Sequence, residues 1–154
     1  KMATVYSVQR TNTRATPITK NPANVMGGRV RIAHGVYEAS SLASGDIIEM
    51  FTLPDGARLI EGSLAHDALA SSTTLSVGYA AHTNSAGTAV SAAAAAYKAA
   101  AASTAAQKVD ILATLALGSG TVTDTNEDGV IVTATMGGAA GTGSIEVTIK
   151  YAVD

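Results

Sequence analysis

Along residues 143–154 apolar and polar positions alternate, with Ile145, Val147, Ile149, Tyr151 and Val153 set against Ser144, Glu146, Thr148, Lys150 and Ala152. A period of two is that of a strand with one face buried. Just upstream, Val130, Val132, Ala134 and Met136 alternate with Ile131, Thr133 and Thr135, and a glycine-rich link over 137–143 joins the two runs. The pair predicts a long β-hairpin closing the chain. A lone hairpin is marginal in water, so its apolar face needs an earlier sheet or a neighbouring subunit.

The chain supplies further strands. Ile47, Ile48, Met50, Phe51 and Leu53 lie between Ser44-Gly45 and Pro54-Asp55-Gly56, a combination in which proline presets φ and glycine accepts positive φ. Residues 58–66 follow, with Leu59, Ile60 and Leu64 as core positions and Gly62 as a candidate bulge. Leu75, Val77 and Tyr79 alternate with Thr74, Ser76 and Gly78, and 109–117 reads as a strand or as the continuation of a helix. Short strands at this spacing with strong turns predict an all-β fold, an antiparallel sandwich or barrel.

Two stretches depart from the pattern. Residues 1–28 carry Pro17, Pro22, many Thr and Asn and a Gly27-Gly28 pair, and read as an extended N-terminal arm ahead of a β-sandwich domain over 29–154. Arg29 to Ala33 then forms a short strand with a basic outward face. Residues 91–106 are almost all alanine, with Tyr97 and Lys98 the distinctive side chains. Alanine has the highest helix propensity, so a helical insertion at about 90–107 is predicted, without an amphipathic stripe. Its simplest place is on the surface, the alternative being a subunit contact.

Composition sharpens this picture. A chain of 154 residues suits one core. Of the 47% hydrophobic residues many are alanine, with one Phe, five Tyr and no Trp, so the core is aliphatic and thin and favours burial by oligomerisation. There is no cysteine, which excludes disulfides and thiolate metal sites. The net charge of −2 gives no reason to expect nucleic-acid binding by the whole molecule. Yet residues 1–37 hold Lys1, Arg10, Arg14, Lys20, Arg29 and Arg31 and no Asp or Glu. The cations at 10, 14, 20, 29 and 31 are candidate contacts for an acidic partner or a second subunit. Residues 1–9 have no continuous apolar stretch and the alanine run is too weakly hydrophobic for a bilayer, so neither a secretory signal nor membrane association is expected.

The candidate chemistry is sparse. Asp124, Asn126 and Asp128, followed by Gly129, resemble the start of a calcium loop, but the twelfth position is Thr135 instead of a bidentate Glu and the downstream segment reads as a strand. A solvated turn is the better reading, and no cofactor is expected. His34, His66 and His82 share no zinc spacing. No Gly-x-Ser-x-Gly elbow occurs, His66-Asp67 are sequence neighbours that point apart in an extended chain, and the glycines at 137–143 lack the Lys-Ser/Thr of a phosphate loop. Nothing points to an enzyme.

Several phrases nonetheless form a set: Met2-Ala3-Thr4-Val5-Tyr6-Ser7, Gln9-Arg10-Thr11, Thr16-Pro17, Arg29-Val30-Arg31-Ile32-Ala33, Ala43-Ser44-Gly45-Asp46-Ile47-Ile48, Leu53-Pro54-Asp55-Gly56-Ala57-Arg58, Thr73-Thr74-Leu75-Ser76-Val77-Gly78, Gly141-Thr142-Gly143 and Val147-Thr148-Ile149-Lys150-Tyr151. In these the chain resembles the head decoration, or cement, proteins of tailed bacteriophages, over most of its length except the alanine-rich segment. The resemblance implies a jelly-roll-like β-sandwich that assembles as a homotrimer on the outer capsid surface. It would bind the major capsid protein, bridge capsomers and use the arm for docking or swapping. The competing readings are another virion component, such as a head-fibre base or tail-associated protein, and a carbohydrate-binding β-sandwich module. The module is disfavoured by the shortage of aromatic rings for sugar stacking.

Overall fold

The computed structural model describes residues 5–126 and 128–153. The first four residues of the expected arm, Glu127 of the calcium-like loop and Asp154 of the closing strand lie outside the described residues. Ten strands follow a short helix, α1 (Val8–Arg14): β1 (Arg29–Leu42), β2 (Ile47–Leu53), β3 (Arg58–His66), β4 (Thr73–Tyr79), β5 (His82–Thr83), β6 (Ala89–Val90), β7 (Ala93–Ala102), β8 (Gln107–Ile111), β9 (Val130–Gly138) and β10 (Gly141–Val153). Two four-stranded antiparallel sheets result, one in the order β1-β10-β3-β8 and the other β2-β9-β4-β7, with β5-β6 a small ribbon beside them. This is the strand order of an eight-stranded jelly roll. The two inner faces meet in one core that includes Leu53, Leu59, Leu64, Leu75, Val77, Ile111, Val132, Met136, Ile145, Val147 and Ile149.

Most predicted strands are present, but their connections are not those the pattern implied. β9 and β10 lie in opposite sheets, so the closing hairpin is an arch. The apolar row of each, Val132, Ala134 and Met136 on β9 and Ile145, Val147 and Ile149 on β10, is buried. In a hairpin the rows would share one face of one sheet; here they face each other across the core. The glycines make the crossing. Gly138 has φ of 78° in close contact with the Ser72 backbone, and a Cβ at Gly141 would come within 2.9 Å of Met136 Cε and 3.1 Å of Leu69 Cβ.

The alanine-rich segment is not a helix but strand β7, hydrogen-bonded to β4. As a helix it would bury almost nothing. As a strand it satisfies the open edge of β4 and delivers Tyr97, one of the few large side chains available, into the core. The register slips between Leu75 and Val77 and again between Val77 and Tyr79, which folds the start of β7 closely over Gly78. Tertiary pairing overrides alanine's intrinsic preference.

Smaller departures have local causes. β1 runs on to Leu42, well beyond Ala33, because β10 pairs with it from Arg29 opposite Val153 to Leu42 opposite Gly141. β8 stops at Ile111 and the chain turns through a 3-10 helix, Leu115–Leu117, ending at Gly118 with φ of 83°. The bulge in β3 falls at Ile60, which is exposed and not a core residue, rather than at Gly62. The N-terminal segment is not extended throughout: Ser7 caps α1 by accepting from Arg10 N at 3.2 Å.

The β2-β3 turn is tied to the 121–125 loop by one buried hydroxyl. Thr123 Oγ1 donates to Pro54 O at 2.6 Å and accepts from Ala57 N at 2.8 Å. Thr123→Val keeps the shape but strands both backbone groups, so urea denaturation should show a loss of about 1–3 kcal/mol.

Candidate interaction surfaces

The residues able to do chemistry do not converge. His34 Nδ1 lies 2.9 Å from Thr148 Oγ1, His66 Nδ1 lies 2.7 Å from Asp67 O, and His82 Nδ1 lies 3.1 Å from Ala80 O. Each ring is thus tied to a separate part of the sandwich. Among the described residues no group of three or more His, Asp or Glu is placed to hold a metal ion. Asp124 instead binds Ser85, accepting from its N at 3.0 Å and its Oγ at 2.6 Å, and Asn126 Oδ1 accepts from Asp128 N at 3.4 Å in a turn.

The five candidate cations are all exposed, in two groups. Arg10 and Arg14 stand one turn apart on α1, where the Arg14 guanidinium lies 4.7 Å from the Tyr6 ring centroid. Arg29 and Arg31 lie on the face of β1 that carries buried Gly35 and Ala39 and not on the outward face the sequence suggested, exposed because this end of the strand runs past the core, and Lys20 lies on the link between the groups. No residue of α1 is buried, and Val5, Val8, Ile18 and Met26 of this segment are exposed. A side-chain tie to the sandwich is Asn24 Nδ2 donating to Gly56 O at 3.0 Å.

β1 carries a feature the sequence reading stopped short of. Val30, Ile32 and Val36 share its outer face with His34 and Glu38 and are 61%, 63% and 60% exposed. The inner face is the buried one, with Gly35 and Ala39. At Gly35 a Cβ would lie 2.7 Å from Met50 O, so the missing side chain lets β1 close onto β2 at this end of the sheets. Among the described residues β1 pairs with β10 alone, leaving a 14-residue edge strand with an apolar outer row. The alternation continuing through His34 and Val36 was the available signal.

A cleft of about 400 Å³ opens between the β5-β6 ribbon and the 115–124 loop. Leu59, Tyr79, Tyr97 and Val130 form its floor, and His82, Asn84, Thr121 and Asp124 stand around it. Tyr79 lies edge-on to His82 at 5.4 Å between centroids and tilted to Tyr97 at 5.8 Å. Burial, with Tyr79 beside it, pushes the Tyr97 phenol well above its ordinary range. The Asp124 carboxyl is held below its usual value by the Ser85 hydroxyl and then the Ser85 N–H, with His82 adding a smaller effect. Nothing in the sequence joined these residues, because only the β4-β7 pairing and the loop packing bring them together.

No family model matches this chain, and no curated protein matches it. Among solved structures, a chain of the cyanophage Pam1 capsid asymmetric unit is similar at a TM-score of 0.61 and 20% identity, covering 88% of this chain and 92% of that one. A chain from the capsid of Ralstonia phage GP4 is similar at a TM-score of 0.62 and 24% identity, covering 82% of this chain and 86% of that one. At these identities the likeness is one of fold.

Proposed function

We propose that this chain is a non-enzymatic structural protein of a phage virion that decorates the outer surface of the capsid, bridges capsomers and assembles as a homotrimer. The observation that carries the reading is the exposed surface of the N-terminal segment and β1, on which the apolar row of Val30, Ile32 and Val36 lies on the opposite face of the strand from Arg29 and Arg31. It contains five exposed cations, no acidic residue before Glu38, and exposed apolar side chains at Val5, Val8, Ile18, Met26, Val30, Ile32 and Val36. Such a surface gains most by lying against an acidic, partly apolar partner, the major capsid protein in this reading, and against further copies of itself. Two capsid chains of phages sharing the jelly-roll fold support the same setting. A shell protein needs matched area repeated many times, not a reactive centre, which agrees with the scattered histidines.

Co-sedimentation with capsids stripped of this protein tests the docking role. Deletion of residues 1–28, or charge reversal by Arg10→Glu, Arg14→Glu and Lys20→Glu together, should leave the circular dichroism of the sandwich intact. Attachment should weaken at least tenfold, and binding of the parent should fall as salt rises. Equal decoration by parent and variants removes the arm from the interface.

A further inference from the structure

The cleft between the β5-β6 ribbon and the 115–124 loop has no part in the surface just described, and its polar groups are set in a definite pattern. At Asp124, Oδ1 takes both Ser85 bonds, so Oδ2 is left as an anionic acceptor. His82 Nδ1 faces the Ala80 carbonyl, and since a carbonyl only accepts, Nδ1 donates to it and Nε2 is the ring nitrogen left to hydrogen-bond a ligand. Asn84 Oδ1 accepts from Thr88 N at 2.7 Å, which leaves the Asn84 amide NH₂ as a double donor. The Asp124 acceptor, the His82 ring nitrogen and the paired Asn84 donor thus border an apolar floor in which Tyr79 is part-exposed above buried Tyr97, Leu59 and Val130, with Leu115 and Val122 exposed at the lip.

We propose that this cleft binds a neutral sugar residue of a glycan. A sugar ring has an apolar C–H face that packs on aromatic and aliphatic side chains, and hydroxyls that donate and accept at once around its edge. That is the complement of an apolar floor with mixed donors and acceptors above it. The volume of about 400 Å³ lies within the range of small-molecule sites. An acidic sugar or a phosphate does not fit, because no Lys or Arg lines the cleft and Asp124 would repel it. An apolar peptide side chain would cover Asp124, His82 and Asn84 without satisfying them, which is costly. A lone ammonium group would meet Asp124 but leave the Asn84 donors unmatched. The inference stands independently of the capsid reading.

The test is an NMR titration of the intact, ¹⁵N-labelled chain with glucose, galactose, mannose and N-acetylglucosamine, each up to about 20 mM, since a single ring held by a few hydrogen bonds is expected to bind near 1 mM. The expected result is saturable shifts confined to Tyr79, His82, Asn84, Asp124 and their neighbours for at least one sugar. Asp124→Asn, which keeps the side-chain shape, should weaken that sugar at least tenfold at an unchanged melting midpoint. The absence of shifts with all four sugars overturns the proposal, as do shifts centred elsewhere or an Asp124→Asn protein that binds equally well. Glucuronic acid or lysine shifting the cleft more strongly than every neutral sugar overturns it too, since the ligand class would then be wrong.

Discussion

Gly78→Ala should cost this protein more than about 4 kcal/mol, against a total stability of about 5–15 kcal/mol for a domain of this kind, and should detach β7. Gly78 lies in β4 where β7 folds over it. Even one methyl group there would overlap the Ala93 carbonyl oxygen and lie 2.7 Å from the Ala94 carbonyl carbon. Both obstacles are backbone, so no rotamer change relieves them. The start of β7 must move away, and with it goes part of the pairing that places Tyr97 in the core. Gly87 is the control, with φ of 79° and nothing within 4 Å of an added Cβ. There the cost is conformational alone, about 1–2 kcal/mol. Urea denaturation of both variants separates the two effects. A Gly78→Ala midpoint close to that of the parent would mean that β7 does not cross β4 at this point.

If the chain assembles as the proposed trimer, Ile32→Lys with Val36→Lys should convert it into a monomer, a threefold fall in solution mass by light scattering, without loss of the fold. Both side chains point outward from β1 and are more than half exposed in the single chain, so neither supports its core. Within an assembly they would be buried between copies, and a lysine at each would bring a charge into the contact without a partner. The adjoining charges, Arg31, His34 and Glu38, are left in place, so any change reports on the apolar row. A parent chain that is monomeric at all concentrations, or a double variant that remains trimeric, would take this row out of the subunit contact.

What the chain disclosed in advance follows from where the information lies. β4 and β10 were legible because period-two alternation is a local property, and β2 and β3 because apolar runs set off by turns such as Pro54-Asp55-Gly56 are local too. Which strands share a sheet is not local. The runs at 130–136 and 145–153 looked like two arms of a hairpin because both carry an apolar row, and the same rows serve equally well facing each other across a core. The alanine segment misled because it has almost no hydrophobic pattern, leaving helix propensity as the only cue. The residue that decides its fate, Gly78, lies 15 positions before Ala93, where it could be read only as one polar step in another strand. The cations were visible from composition, but the helix carrying two of them rests on the Ser7 cap, a single side chain in a polar stretch. The cleft left no trace because Tyr79, Tyr97 and Asp124 belong to three separate elements.

The position of β10 also governs how the molecule comes into being. It lies between β1 and β3, pairing Arg29 with Val153 across 124 positions (153 − 29 = 124) and Leu64 with Val147. While the ribosome is still adding residues before Gly141, β1 has no neighbour in its sheet and β3 has only β8. Every residue through β10 must therefore be made before that layer can close, and closure then requires long loops to be ordered at once. Maturation on the millisecond-to-second scale, dependent on strands far apart in the chain, is the expected kinetic signature. A nascent chain halted before β10 would present open strand edges to its neighbours, the condition under which molecules made in many copies most readily aggregate.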